Sequence, residues 1–394
     1  MSNKSVELVK ITLYEVNLPF LVAFKHNLAS RKHTINVIVQ LDFSYDNKII
    51  SGFGESVPRE YVSNETSSTC LNDIKNYYIP LLKGFKANDY NEALNVFFTL
   101  LKNPALNDTG NTARCAVELA FCDGIAKIQN MPVRNLFITK PKLNIASLQY
   151  GAVVPYLSNY KLKFLLYLYK FLSYRTIKIK VGANLATNLN IVKLAREILG
   201  PLVTLRIDAN SAWTVRESIE QVNALNKYNI ASVEEPCTGS IEDIKTIQDN
   251  IAIPLIADES LVSIKDAHNL IGACRGFNIR ISKNGGISSA IAIAQIAYTN
   301  NIECHLGAQV GESNILFMAN QHLAFILANE YNLKLMNIEG AGNNLLLKNN
   351  LSSSLLSSKF PTQFQATSNS GFGALINILS LNKYLLAKFA QELI

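Results

Sequence analysis

The order of apolar and polar positions gives the first part of the chain the pattern of a small α+β domain. Two apolar runs typical of β-strands, VELVKITLYEVNL and TINVIVQLDFSYD, are followed by a turn at Asn47 and a third run, IISGFGES. Helical periodicity then appears in residues 66–78, 89–101 and 112–129. We therefore predict an antiparallel sheet with helices, in a domain of residues 1–135.

From Leu143 onwards, short apolar strands alternate with amphipathic helices. Eight strand candidates with seven helical stretches between them favour a β/α barrel over an open sheet, because open sheets usually contain fewer regular units. The strand candidates are SLQYGAVV, TIKIKVG, VTLRIDAN, IASVEEP, PLIADES, GFNIRIS, IECHLGA and LKLMNIEG. The pattern predicts a barrel domain over residues 140–345.

Residues 346–394 form a third segment with a Ser-rich patch, SSSLLSS, and a final apolar run, LINILSLNKYLLAKFAQELI. We predict that this segment returns to the first domain and ends in a helical tail. Another apolar run, FLLYLYKFL at residues 164–172, is too short to span a bilayer and contains Lys170, so it predicts a buried helix.

Composition and charge restrict the class of protein. The 394 residues are 48% hydrophobic and 17% charged, which is ordinary for a soluble globular chain. The net charge of +7 comes from 37 basic and 30 acidic residues, and no basic run is interleaved with aromatic residues, so a nucleic-acid partner is not expected. The N-terminus lacks the pattern of a secretory signal, and no membrane association is expected. Six cysteines without paired or metal-ligand spacing predict buried reduced thiols in a cytoplasmic protein.

Ionisable residues occupy the ends of five consecutive strand candidates. They are Lys180, Asp208, Glu234, Asp258 and Lys283, and successive members are 24 to 28 residues apart. Each step equals one strand, one helix and their loops, so each strand would present one group at the C-terminal face of a barrel, where active sites lie. A single strand-end acid more often caps a helix, but five such groups on five strands favour an active site.

The types of these residues indicate a cation with an acid/base pair. Three converging carboxylates would repel one another unless a hard cation lay between them, and oxygen ligands favour Mg²⁺, or alternatively Mn²⁺, over zinc. Lys180 and Lys283 would approach a substrate from opposite sides as acid and base. Lys178 lies two residues before Lys180 and therefore on the same face of its strand.

An ordered set of short motifs resembles the enolase superfamily, and within it the muconate lactonizing enzyme subgroup of the mandelate racemase/muconate lactonizing enzyme family. The motifs are the KxK of residues 178–180, DAN of 208–210, EEP of 234–236, ADES of 257–260 and KNGG of 283–286. The resemblance implies a modified (β/α)7β TIM-type barrel with an α+β capping domain.

The resemblance also implies roles for the strand-end residues. It implies magnesium held by Asp208, Glu234 and Asp258, with Lys180 and Lys283 as the acid/base residues. Lys178 would tune Lys180. Asn210 and Glu259 would orient the metal ligands or Lys283.

The chemistry that the resemblance implies is removal of the proton α to a substrate carboxylate, through an enediolate. Racemisation or epimerisation of an amino-acid derivative is the expected reaction. A muconate-type cycloisomerase and an o-succinylbenzoate synthase-like dehydratase are the alternatives within the family. A catalytically silent binding protein with the same barrel is the alternative from another class.

Comparison with subgroup patterns narrows this choice. The mandelate racemase type uses a His/Asp pair on later strands, whereas the sixth strand here carries Lys283, and His305 inside IECHLGA is expected to be structural. Dipeptide epimerases carry a DxD-like motif on the eighth strand. This chain has Asn337, Ile338 and Glu339 there, with a single acid.

By the same resemblance, specificity would come from loops of the capping domain and from the ends of the last strands. The candidate substrate-binding residues are Lys25, His26, Arg59, Tyr61, Gln309, Glu312 and Glu339. The expected partner is a small-molecule carboxylate, and the chain is expected to form a homo-oligomer.

Overall fold

Three long antiparallel strands begin the chain. The computed structural model describes residues 5–26, 29–342, 346–353 and 362–394, with side chains left undescribed at 22–30 and 352–353. The strands are β1 (Val6–His26), β2 (Ala29–Tyr45) and β3 (Lys48–Ser56). Asp46 and Asn47, both with positive φ, form the tight turn between β2 and β3. The predicted antiparallel sheet is confirmed.

The helices of this first region follow the sheet and cover one of its faces. In chain order, the elements are α1 (Glu60–Ser63), α2 (Ser67–Asp73), a π-helical turn (Ile74–Tyr78), α3 (Ile79–Leu82), β4 (Lys86–Ala87), α4 (Tyr90–Leu100), a 3₁₀ turn (Pro104–Leu106) and α5 (Asn111–Ile128). Helix α5 lies directly on β3, because Gly52 has no side chain there. A Cβ atom at Gly52 would come within 2.1 Å of the Ala120 carbonyl oxygen.

Eight parallel strands form the second region. Their order in the sheet is the order of the chain, and Gly151 N donates to Ile338 O (2.8 Å), which joins the first strand to the last and closes the barrel. The strands are β6 (Ala152–Val154), β7 (Thr176–Lys180), β8 (Thr204–Asp208), β9 (Ile230–Glu234), β10 (Leu255–Ala257), β11 (Gly276–Ile279), β12 (Glu303–Leu306) and β13 (Leu335–Ile338). A short strand, β5 (Ser147–Gln149), precedes them.

Seven helices connect these strands. They are α6 (Asn159–Phe171), α7 (Leu185–Leu199), α8 (Val215–Leu225), α9 (Ile241–Asp249), α10 (Ile264–Asn269), α11 (Ile287–Thr299) and α12 (Asn314–Asn329). The alternation confirms the predicted (β/α)7β barrel. Among the described residues, no helix has both the length and the apolar character to cross a membrane. All six cysteines are buried and none forms a disulfide.

Helix α6 contains the run that was predicted to be a buried helix, and this prediction was wrong for one of its faces. Leu162 and Leu166 pack into the barrel core. Phe164 and Phe171 are 66% and 84% exposed, and Tyr160 and Tyr167 lie on the same outer face. The run is apolar around most of its circumference, but a barrel covers only the inner side of each helix.

The end of the chain corrects the predicted helical tail. It contains β14 (Ser352–Ser353), β15 (Gln363–Gln365) and β16 (Leu375–Ile376), and within the described range 362–394 only the short α13 (Ile378–Lys383) is helical. Residues of β17 (Leu385–Glu392) instead pair antiparallel with β1, in the register Lys10 opposite Glu392. Edge strand β1 offers unpaired backbone groups, and satisfying them outweighs the local helical preference. Most of the Ser-rich patch lies outside the described residues.

Buried carboxylates connect the first region to the barrel. Glu55 of β3 is fully buried and accepts hydrogen bonds from the amides of Ser313 (2.9 Å) and Leu316 (3.0 Å) at the start of α12. Glu118 of α5 accepts from the amide (2.7 Å) and hydroxyl (2.6 Å) of Ser288 in α11. These bonds hold the sheet over the C-terminal ends of the barrel strands.

Candidate active site

The strand-end residues predicted from sequence lie at or just after the C-terminal ends of five consecutive barrel strands. Lys180, Asp208 and Glu234 are direct neighbours in the register of β7, β8 and β9. Asp258 follows β10, and Lys283 follows β11. Strands β7 and β11 are four positions apart in a closed barrel of eight, so the two lysines come from opposite sides.

Lys180 is held by two neighbours at the strand ends. Its Nζ atom donates to Asp208 Oδ2 (2.5 Å) and to Asn210 Oδ1 (2.6 Å). The Asn210 backbone has a positive φ of 44°, and its amide donates to Asp208 Oδ1 (2.9 Å). Asn210 Nδ2 in turn lies 3.4 Å from Glu259 Oε1, so the two predicted orienting residues touch each other.

Lys178 lies one layer deeper and is almost completely buried. Its Nζ atom is 2.8 Å from Glu234 Oε1, 3.0 Å from Glu339 Oε1 and 3.3 Å from Asp208 Oδ2. Burial alone would lower the pKa of Lys178, but the three carboxylates together hold this pKa above its usual value. Burial alone would likewise raise the pKa of Glu234, but Lys178 and Arg206 outweigh burial and hold this pKa well below its usual range.

Lys283 is fully buried on the opposite side of the barrel. Its Nζ atom donates to Asp258 O (2.5 Å), Asp258 Oδ1 (2.9 Å) and Asn278 O (3.0 Å). Burial and the nearby Arg280 guanidinium lower the pKa of Lys283 to about 7. A lysine in such surroundings can exist in both protonation states near neutral pH.

Two further glutamates lie beside this lysine. Burial raises the pKa of Glu259 to about 8 and that of Glu235 to about 7. Glu235 Oε2 accepts from the Asp258 amide (2.7 Å) and from the Ser260 hydroxyl (3.0 Å). Glu235 therefore fixes the backbone that presents Asp258.

The three predicted metal ligands fit a cation by their chemistry. All are fully buried carboxylates, and each contacts two cationic side chains, which shows that this point of the barrel attracts positive charge. Asp258 Oδ2 lies against Arg280 but has no partner with hydrogen-bond geometry. Oxygen-only donors suit Mg²⁺. Within the part of the chain that the structure describes, no three acidic, His or Cys side chains meet closely enough to hold an ion, because the carboxylates are turned towards these lysines and arginines.

The predicted substrate-binding residues of the capping region have different surroundings. Arg59 is buried and donates to the Thr34 hydroxyl (2.5 Å) and to the Val310 carbonyl (2.8 Å), so it ties β2 to the segment after β12. Burial lowers the pKa of Arg59 to about 10. The Tyr61 ring lies 5.3 Å from the Arg31 guanidinium.

Gln309 and Glu312 lie in the segment after β12, and both side chains are buried. Gln309 Oε1 accepts from Arg280 Nη1 (3.2 Å), and the Gln309 amide donates to Glu312 Oε1 (2.6 Å). Burial raises the pKa of Glu312 to about 8. The side chains of the two remaining candidates, Lys25 and His26, lie outside the described residues.

Glu339 and His305 occupy deeper positions. Glu339 Oε1 lies 3.0 Å from Lys178 and 3.4 Å from Arg206, and it accepts from Asn337 Nδ2 (2.9 Å). The carboxylate on the eighth strand is therefore engaged by two cations. His305 is buried, with Nε2 3.4 Å from Glu303, and burial lowers the pKa of His305 to about 4, as suits a structural histidine.

The sequence interpretation missed two arginines that contact the strand-end carboxylates. Arg206 Nη2 lies 2.8 Å from Glu234 Oε2, and Arg280 contacts Asp258. Both lie in mostly apolar strand candidates, VTLRIDAN and GFNIRIS: Arg206 is inside β8, and Arg280 directly follows β11. A charged residue in a strand that is buried on both sides was the available signal.

The chain is similar in sequence to known proteins over most of its length. Residues 168–353 match the family model described as "Enolase C-terminal domain-like". The chain is 29% identical over 325 residues to a D-Ala-D/L-Ala epimerase of Cytophaga hutchinsonii (81% of this chain, 84% of that protein). It is 27% identical over 332 residues to an N-succinyl-L-Arg/Lys racemase of Bacillus cereus (81% and 84%).

A solved structure shows the same fold. The crystal structure of a dipeptide epimerase from Cytophaga hutchinsonii, complexed with Mg and the dipeptide D-Ala-L-Val, superposes with a TM-score of 0.80. It is 24% identical and covers 97% of this chain and 99% of its own. The family model over residues 168–353, the relatives and the barrel with its strand-end residues confirm the predicted resemblance to the enolase superfamily and, within it, to the mandelate racemase/muconate lactonizing enzyme family.

Proposed function

We propose that the protein is a magnesium-dependent racemase or epimerase that removes and returns the proton α to the carboxylate of an amino-acid derivative. The observation that carries this proposal is the placement of Lys180 and Lys283 on opposite sides of the barrel, with three carboxylates between them in the strand order. Two bases that face one carbon from opposite sides can invert its configuration. The names of the relatives, an epimerase and a racemase, support the same reaction.

The residues of the site have separate roles. One lysine, in its neutral form, takes the α-proton, and the other, in its protonated form, delivers a proton to the opposite face. Asn210 positions Lys180, and the Asp258 and Asn278 carbonyl oxygens position Lys283. Asp208, Glu234 and Asp258 would hold Mg²⁺, which supplies electrostatic stabilisation of the negative charge that develops on the substrate.

Within this reaction class, an N-acylated amino acid is our preferred substrate over a dipeptide. A dipeptide carries a free ammonium group, which requires an available carboxylate. The acid of the eighth strand, Glu339, is already shared by Lys178 and Arg206. The neighbouring Asn337 is uncharged. An acylated nitrogen needs no anionic partner.

Hydrogen exchange in deuterated water tests the reaction. With Mg²⁺ and the two enantiomers of N-succinyl amino acids, the protein should exchange the α-hydrogen of both. Lys180→Ala should lose exchange with one enantiomer and Lys283→Ala with the other, while Lys163→Ala, an exposed lysine of α6, should be unaffected. Full activity of both site variants would exclude the two-lysine mechanism, and lactone formation without exchange would indicate the cycloisomerase.

Dipeptides measured in the same assay test the substrate class. Faster exchange with dipeptides than with N-acylated amino acids would overturn our choice while leaving the reaction in place. Calorimetric titration with Mg²⁺ tests the metal separately. Binding that is lost in Asp258→Asn is expected, and a protein that binds no Mg²⁺ would instead be the silent binding relative.

Assembly and location stay predictions. We propose that the chain forms a homo-oligomer and works in the cytoplasm. The exposed aromatic face of α6 is a candidate contact, because a large exposed apolar face is unfavourable in an isolated molecule. Sedimentation velocity should show a lower mass for Phe164→Ser/Phe171→Ser than for the unmodified protein. An unmodified protein that sediments as a monomer would contradict the proposal.

A further inference from the structure

A cavity of about 510 Å³ lies where the first region meets the barrel. One wall is formed by residues from Leu101 to Arg114, which include the start of α5. The other is formed by Ser263 to Lys265 and by residues of the segment 284–289. None of the predicted metal ligands lines it. The volume is in the range of pockets that bind small molecules.

The charged residues that line the cavity are all basic. Lys102, Arg114 and Lys265 line the cavity, and none of its described lining residues is acidic. Among the described residues, the structure records no ion pair for Lys102 or Lys265. Three cations on one cavity, contributed by both walls, favour a ligand with more than one negative charge.

Arg114 has hydrogen-bonding capacity that the described part of the protein does not use. Its Nη1 donates to the Leu101 carbonyl (2.8 Å), and its Nη2 lies 3.4 Å from the Ser288 hydroxyl. Its buried Nε has no hydrogen-bond partner, and the carboxylate of Glu118, 3.9 Å away, already accepts two bonds from Ser288. Arg114 therefore keeps a buried N–H that could donate to a bound anion, in addition to its longer ion pair with Glu118.

The cavity also offers apolar surface and hydroxyl groups. Tyr78, Leu101, Leu106 and Ile264 contribute to its lining. These residues suit an organic body attached to the charged group rather than a bare inorganic ion. Phosphate esters and polycarboxylates share this chemistry.

The floor of the cavity is connected to Lys283. Asn111, a lining residue, donates from Nδ2 to the carbonyl oxygens of Lys283 and Val262, both at 2.9 Å. Asn284 also lines the cavity and donates to the Val262 carbonyl (3.0 Å). A ligand that bridged the two walls would therefore hold the backbone that presents Lys283.

We propose that this cavity is a binding site for a small organic polyanion, bound by Lys102, Arg114 and Lys265 across the junction of the two regions. The site is separate from the proposed substrate site. Its occupancy stabilises the docking of α5 against the segment that carries Lys283.

Phenyl phosphate is a suitable probe, because it combines a dianion with an apolar ring. Isothermal titration calorimetry of the Mg²⁺-loaded protein, with ionic strength held constant by NaCl, should show saturable binding with one site per chain. In Lys102→Gln/Lys265→Gln, the affinity should fall by about two- to thirtyfold, because both exposed charge contacts are removed. Lys161→Gln/Lys163→Gln, which removes two exposed lysines from α6, is the matched control and should bind as the unmodified protein does.

Three outcomes would overturn the proposal. The first is the absence of saturable binding. The second is binding that persists unchanged in Lys102→Gln/Lys265→Gln, which would place the anion elsewhere, such as in the barrel mouth. The third is an equal loss of affinity in both double variants, which would indicate a general charge effect. Calorimetry measures binding directly, so the outcome does not depend on whether the proposed racemase activity is found.

Discussion

Replacing Glu55 with glutamine should weaken the junction between the capping sheet and the barrel. Glu55 Oε1 accepts from Asn36 Nδ2 (2.6 Å) and from the Ser313 amide (2.9 Å). Its Oε2 accepts from the Ser313 hydroxyl (2.6 Å) and from the Leu316 amide (3.0 Å). A carboxylate can accept all four bonds, whereas a glutamine side chain replaces one oxygen with a donor group.

The loss of stability expected for Glu55→Gln follows from these contacts. If the new NH₂ group takes the place of Oε2, the Ser313 hydroxyl can rotate and accept from it, but the Leu316 amide loses its acceptor. If it takes the place of Oε1, the Asn36 side chain and the Ser313 amide both lose theirs. A buried donor without a partner costs about 1–3 kcal/mol. Loss of the negative charge at the start of α12 removes a favourable interaction with the helix dipole, worth about 0.3–2 kcal/mol. We therefore expect Glu55→Gln to lower the free energy of unfolding by about 1–5 kcal/mol.

Urea-induced unfolding, followed by circular dichroism, measures this change. Glu60→Gln is the matched control, because Glu60 is exposed at the start of α1 and its replacement should change the free energy by less than about 0.5 kcal/mol. Burial raises the pKa of Glu55. A Glu55→Gln variant as stable as the control would show that Glu55 is protonated in the native protein and would refute the reasoning from a four-bond carboxylate.

Two further predictions concern other buried positions. Gly52→Ala should destabilise the protein by about 2 kcal/mol or more, because the new Cβ would lie 2.1 Å from the Ala120 carbonyl oxygen. Gly342→Ala is the control, because a Cβ atom at that position meets nothing within 4 Å. Thermal unfolding should show a clearly lower midpoint for Gly52→Ala than for Gly342→Ala. Burial lowers the pKa of His322 to about 3, below its value of 6.5 in the unfolded chain. Between these two pH values the unfolded state binds more protons than the folded state. The stability that neutral His322 contributes is therefore complete above pH 6.5 and is lost as the pH falls. At pH 5 the free energy of unfolding should be lower by about 2 kcal/mol for this reason. His322→Asn should remove this pH dependence, whereas the control His268→Asn, at an exposed position, should keep it. Equal pH profiles of stability for both variants would contradict the assignment to His322.

The barrel and its strand ends could be predicted because their signals are local. Each barrel strand is a short, mostly apolar run, five consecutive strand candidates carry an ionisable residue at or after the strand end, and all eight candidates contain a strand of the structure. The regular spacing of strand and helix then allowed one fold class. The family was recognised by its motifs, and the comparisons confirm it.

The errors occurred where a neighbour in space decides the structure. The final run, LLAKFAQE, has apolar residues at spacings that allow a helix, and only the exposed edge of β1 makes it a strand. The predicted burial of α6 was wrong at its outer face for a related reason. Hydrophobicity predicts burial only when another element is available to cover that face, and the sequence does not show where the barrel ends.

The ion pairs of Lys178 and Arg206 with Glu234 and Glu339 also could not be predicted from the sequence. The position of Arg206 in its strand was visible, but its two partners come from β9 and the end of β13, which are distant in the chain. The pairing of Glu339 with Lys178 and Arg206 depends on closure of the barrel. This pairing matters for function, because it turns the single acid of the eighth strand from a candidate ammonium ligand into part of the barrel interior.

The two lysines of TIKIKVG show how the structure tolerates like charges on one face of a strand. Lys178 is neutralised by Glu234 and Glu339, and both lysines contact Asp208. Two of these three carboxylates, Asp208 and Glu234, are also proposed metal ligands, so the groups that would hold a cation already balance the lysines. The strand can therefore present Lys180 to a substrate because Lys178, one layer deeper, has the carboxylate of Glu339 as a partner that the proposed metal site does not use.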